Sequence, residues 1–167
     1  MTDADADPGP DSDSGSGTGP DAGPGTAPGP GPGARPHLLR TNPAQLSPPA
    51  GFSHAVTATG SRLVLLAGQT ALDARGTVVG DTLPAQFERA LTNLLTALAA
   101  SGGGPADLAR VTVYTTDVPS YRANARELGS IWRRHAQRDY PAMALVGVVR
   151  LWDEEALVEL DGIAVLP

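Results

Sequence analysis

A chain of 167 residues has room for one ordinary domain plus an extension, and its 12 basic residues, all Arg, face 18 acids for a net charge of −6. Cysteine is absent, which excludes disulfides, a thiolate nucleophile and a Cys-ligated metal, and no run approaches the roughly 18 apolar residues needed to cross a bilayer. Residues 1–35 hold six Asp against Arg35 alone, whereas residues 36–167 carry eleven Arg and twelve acids, a net of −1 with no basic excess to attract nucleic acid.

Residues 1–35 contain no Leu, Ile, Val, Phe, Tyr or Trp, so they have nothing to bury against the entropy of ordering. The expectation is a disordered, acidic Pro/Gly/Asp-rich tail ahead of one domain over 36–167. The start of the chain also lacks the basic region and apolar core of a signal peptide, which predicts a soluble cytoplasmic protein with no membrane partner.

Within the domain, His54–Thr59 alternates weakly and Gly60-Ser61 turns it into Arg62–Ala67, a hairpin signal whose second arm has the apolar run of a covered strand. Thr77-Val78-Val79 predicts a short third strand. Between Leu83 and Ala100, Phe87, Ala90, Leu91, Leu94, Leu95 and Leu98 recur every three or four residues, the stripe of an amphipathic helix. Asp81 or Thr82 can cap it, and Ser101 to Pro105 stops it.

Ala109–Thr116 alternates β-branched residues and predicts a strand. A second helix follows, with Ser120 as its expected cap and Tyr121, Ala125, Leu128 and Trp132 as its stripe, until Asp139-Tyr140-Pro141 breaks it. Ala144–Leu151 and Ala156–Val165 predict two final strands. The order β-β-β-α-β-α-β-β defines an α+β fold, a mixed sheet with two helices on one face. Two helices cannot cover both faces of such a sheet, so subunits are expected to cover the other.

Seven phrases occur in order along the chain: Asn42-Pro43, Gly51-Phe52-Ser53-His54-Ala55-Val56, Ala67-Gly68-Gln69, Gln86 with Ala90-Leu91 and Asn93-Leu94, Thr112–Asp117, Pro141-Ala142, and Leu157–Ala164. Together they resemble the RidA (YjgF/UK114) family and span nearly all of the chain after Arg40. The resemblance implies a chorismate-mutase-like homotrimer with clefts at the subunit boundaries. There, typical members hydrolyse reactive enamines and imines to a keto acid and ammonia, without metal or cofactor.

In the family an arginine that holds the substrate carboxylate directly follows the Pro-Ala pair; here Met143 follows Pro141-Ala142. A thioether cannot replace a guanidinium fork. The resemblance carries over Ala67, Gly68, Ala144 and Leu145 as substrate-lining positions, Asp161 as a group to place water, and His54 at the cleft mouth. The implied pocket is more apolar than the deaminating type.

Because the reference pKa of histidine, about 6.5, lies near working pH, His54 reads equally as a general acid-base or as a strand histidine in a structural hydrogen bond. His37 and His135 read as exposed or tail-borne, and no His spacing suits a metal. Glu159 and Asp161 alternate onto one face of the last strand. Glu159 reads best as a partner for an Arg in a trimer core, Asp161 as the functional acid. Arg150, expected on the penultimate strand, reads as a salt-bridge residue. Two classes of function follow: a hydrolase of C=N or related intermediates acting on a small molecule, or a trimeric ligand-binding or regulatory protein without deamination.

Overall fold

The computed structural model describes residues 37–167. The predicted disordered tail, residues 1–35, lies outside the described residues. Six strands and three helices follow in the order β1 (Leu38–Thr41), β2 (Ala55–Ala58), β3 (Arg62–Gln69), α1 (Leu83–Ala100), β4 (Leu108–Thr115), α2 (Val118–Ala123), α3 (Ala125–Ala136), β5 (Ala142–Gly147) and β6 (Val158–Leu166). The main sheet has four strands in the order β3-β6-β4-β5, and β1 and β2 pair apart from it. The β3/β6 and β6/β4 pairs are antiparallel and β4/β5 is parallel, so the sheet is mixed, as expected.

The predicted hairpin does not form. β2 pairs with β1, and β3 pairs with β6, the apolar strand at the far end of the chain. Gly60-Ser61 still turns the chain, but the turn is pinned by the amide of Ser61 on the Leu166 carbonyl at 3.0 Å, and a Cβ at Gly60 would overlap that carbonyl. The third predicted strand also fails: Val78 makes one bridge to Leu72 across a turn in which the Asp73 carboxylate accepts the amides of Arg75 and Thr77. These two hydrogen bonds hold the Asp73 carboxyl below its usual range. Leu38–Thr41 therefore supplies the extra strand that 77–79 was expected to give.

The helices follow the sequence closely. Thr82 caps α1 by accepting from the Ala85 amide, and Leu83, Phe87, Ala90, Leu91, Leu94 and Leu98 are buried against β3, β6 and α3. The second predicted helix is broken at Asn124, whose side-chain amide donates to the Ser120 carbonyl. Its cap is Asp117, accepting from the Ser120 amide at 2.8 Å, rather than Ser120. In α3, Leu128, Ile131, Trp132 and Ala136 face inward. Glu88 of α1 ties the helices by accepting from His135 at 2.7 Å and from Arg134 at 2.9 Å, and these bonds lower its pKa.

One face of the sheet is thus covered and the other is open. Leu66, Val111, Val113 and Leu160 are buried beneath α1 and α3. On the opposite face Leu63 is 65% and Leu65 72% exposed, and in the loop between β5 and β6 Val149 and Trp152 stand 99% and 94% exposed.

Candidate functional site

Strand register divides the sequence-derived residues between the two faces of the sheet. Between the pairs Leu66–Gly162 and Leu160–Gln69, both Ala67 and Gly68 stand against Asp161 alone, a β-bulge. A Cβ at Gly68 would overlap the Glu159 carboxylate, which explains the glycine: the acid lies where a side chain would be. Asp161 accepts hydrogen bonds from the Thr112 amide at 3.3 Å and the Tyr114 hydroxyl at 3.1 Å. Ala67, Gly68, Glu159 and Asp161 are therefore neighbours on the open face.

The electrostatics of this cluster are acidic. Asp161 raises the pKa of Tyr114, chiefly through the hydrogen bond it accepts. Glu159 holds its proton to higher pH than an ordinary glutamate, first because it is partly desolvated and then because Asp161 and Asp153 lie near. Asp153 is fixed there by the Thr70 hydroxyl at 2.9 Å. Glu159 makes no ion pair among the described residues. A carboxyl whose pKa is raised, beside a second one tied down by two donors, is an arrangement suited to acid-base work on a polar bond.

Met143 lies on the other side. β4 runs between β5 and β6, and its Thr112 pairs with Asp161 while its neighbour Val111 pairs with Met143. Adjacent residues of a strand point to opposite faces, so the Met143 and Asp161 side chains are separated by the sheet. Met143 and Leu145 border a recess under α2 and α3, and the backbone of Ala144 between them joins its rim. The recess has two lobes, about 290 and 130 Å³, that share Tyr121 and Met143. Among the described residues, no charged one lines either lobe.

His54 belongs to neither face. Its ring Nε2 donates to the Ser47 carbonyl at 2.8 Å, its amide donates to Asn42 Oδ1 at 2.9 Å, and its ring meets that of Phe52 edge-on at 5.1 Å. Phe52, two residues earlier, lines the recess together with Gly51 of the same phrase. Ser53 places it, because its amide and hydroxyl bond the carbonyls of Pro141 and Tyr140 at the start of β5. The sequence held one signal for Phe52, an aromatic side chain in a Gly-Phe-Ser phrase with no helical or strand period to assign it to a core.

Two further expectations need correction. Arg150 is not on the penultimate strand, since β5 ends at Gly147, and it makes no ion pair among the described residues. His37 and His135 are part-buried and each has an acidic neighbour, His37 with Asp107 at 2.8 Å and His135 with Glu88 at 2.7 Å. Among the described residues no group of His, Asp or Glu could hold a metal ion, and no helix is long and apolar enough to cross a membrane.

Comparison with known proteins agrees with this architecture. A family model described as "Endoribonuclease L-PSP" matches residues 43–166. A RutC family protein of Synechocystis is 33% identical over 127 residues, covering 74% of this chain and 93% of that protein. A Rid-family protein of unknown function from Yersinia pestis has a similar structure, with a TM-score of 0.71 and 34% identity over 78% of this chain and 99% of that one. A YjgF/YER057c/UK114 member from Mycobacterium tuberculosis follows with a TM-score of 0.52 and 31% identity over 70% and 87% of the two chains. The chain belongs to the RidA (YjgF/YER057c/UK114) family.

Proposed function

We propose that this chain is a homotrimeric cytoplasmic hydrolase of small reactive enamines, imines or related intermediates, working without a cofactor in clefts between copies. The observation that carries the reading is the division of the site. Asp161 with the Ala67-Gly68 bulge occupies one face of the sheet and Met143 with Leu145 the other. Two such halves meet only if one copy presents its open face to the recess side of the next.

Water addition to a C=N bond needs a base to orient water and a donor for the leaving nitrogen. Asp161, held by Thr112 and Tyr114, serves the first role. Glu159, whose proton is retained to higher pH, serves the second. The carboxylate clamp is what the site lacks: Met143 offers no charge, so 2-imino acids are poor substrates. That same uncharged lining favours the second reading, a trimeric ligand-binding or regulatory protein that has lost deamination. A nucleolytic role draws no support from a domain with a net charge of −1.

The test generates 2-imino acids with an amino-acid oxidase and follows keto-acid formation. Wild type is expected to be slow, Met143→Arg faster and Asp161→Ala inactive. A charge-assisted contact of about 1.5–3 kcal/mol corresponds to roughly ten- to hundredfold if it acts in the transition state. Fast wild-type turnover that survives Asp161→Ala contradicts both roles.

A further inference from the structure

We propose that the recess behind Met143 binds a neutral, ring-bearing small molecule whose carbonyl or similar acceptor is held by the Tyr121 hydroxyl. This deepens the reading above and rests on it for the placing of the site, because it names the class of molecule that an arginine-free member accepts. Four observations support it.

The first is size. The larger lobe, at about 290 Å³, exceeds the roughly 150 Å³ in which a protein cavity holds a benzene ring, and the smaller lobe of about 130 Å³ adjoins it through Met143 and Tyr121. A six-membered ring with a short substituent fits. The second is lining: Phe52, Phe87, Leu128, Trp132, Met143 and Leu145 give aromatic faces, a polarisable thioether and aliphatic groups. An apolar wall of this kind takes up a ring and rejects an ion.

The third is charge. With no Arg or His among the described residues of either lobe, a carboxylate entering the recess would lose its hydration without gaining a partner. The fourth is the donor. Tyr121 borders both lobes, and among the described residues its hydroxyl has no hydrogen-bond partner. Burial pushes its pKa up to about 12, so it keeps its proton at any working pH and has a hydrogen bond to give. Edge-on contact with Phe87, at 6.2 Å between ring centroids, holds the phenol in place.

The chain has two tryptophans, and Trp132 is in the wall of the recess, so Trp152→Phe leaves a single reporter there. The full-length Trp152→Phe protein is titrated with acetophenone, toluene and benzoate, following Trp132 emission. Acetophenone is expected to saturate the signal. Toluene, which lacks an acceptor, should bind roughly fivefold more weakly, the worth of about 1 kcal/mol for one neutral hydrogen bond. Benzoate should bind at least about tenfold more weakly than acetophenone.

Tyr121→Phe is expected to erase the difference between acetophenone and toluene while leaving toluene unchanged. Ala125→Phe, at an exposed position on the recess wall, should weaken both neutral probes without unfolding the chain. Saturable binding of benzoate as tight as that of acetophenone overturns the proposal. So does the absence of saturable binding of either neutral probe by protein whose circular dichroism is native. The imine assay on the same preparation reports on the reaction class separately, so a bound ring without imine hydrolysis locates the failure in the proposed chemistry and not in the recess.

Discussion

The two faces of the central sheet come from the same four strands, yet one is a finished core and the other is unfinished surface. Beneath α1 and α3, the inward positions of β3, β4 and β6 meet helix side chains and are buried. On the opposite face Leu63 and Leu65 face outward beside Ile163 and Val165, and farther along β6 come the acids Glu159 and Asp161. Alternation assigns each residue to a face, but it cannot supply what covers that face. The difference therefore separates residues that hold one chain together from residues that, in the proposed trimer, would hold chains to each other and carry the chemistry.

The largest expected effect falls on the finished face. Phe87→Ala removes a ring buried among α1 and its neighbours and should cost about 3–5 kcal/mol, read as a lowered denaturation midpoint. Leu65→Asp should behave in the opposite way. It leaves the single-chain core intact and shifts a trimer towards monomers at micromolar concentration, because each copy loses the burial of a leucine, about 1.5–3 kcal/mol. Light scattering reads the mass. A Leu65→Asp protein that stays trimeric, or that unfolds as Phe87→Ala does, would erase the distinction between the faces.

The smallest effect concerns the acids of the open face. Because the folded chain raises the Glu159 pKa, its favourable contribution is present below the ordinary glutamate pKa and is lost as pH rises through the raised value. At pH 7 the charged form disfavours the fold. Glu159→Gln should therefore make the protein somewhat more stable than wild type at pH 7, with the gain vanishing near pH 4. Denaturation midpoints measured across that range check the sign, and a variant less stable at pH 7 would place an unseen cation on Glu159.

How much of this was legible beforehand depends on how local the determinant was. The stripe of Phe87, Leu91, Leu94 and Leu98 set α1 without outside information, since a helix closes its hydrogen bonds within itself. The apolar run of β3 marks it as a strand, but its partner β6 lies about a hundred residues away, and the Gly60-Ser61 turn points instead to the neighbouring segment. That an uncharged Met143 follows Pro141-Ala142 could be read directly. That Met143 and Asp161 face opposite sides could not, because it depends on the register of two strands against β4. An ionisable ring makes His54 a conspicuous candidate in the sequence, whereas Phe52, with no ionisable group, borders the recess.

The central claim is that the two half-sites act together only between copies, and subunit mixing tests it most directly. The double variant Met143→Arg/Asp161→Ala carries the added guanidinium without the acid, and wild type carries the acid without the guanidinium. Wild type is expected to hydrolyse 2-imino acids slowly and the double variant not at all. After the two are unfolded together and refolded as mixed trimers, some clefts combine the guanidinium of one chain with Asp161 of another. The account predicts keto-acid formation clearly above the average of the two parents, and a rate equal to that average would contradict it.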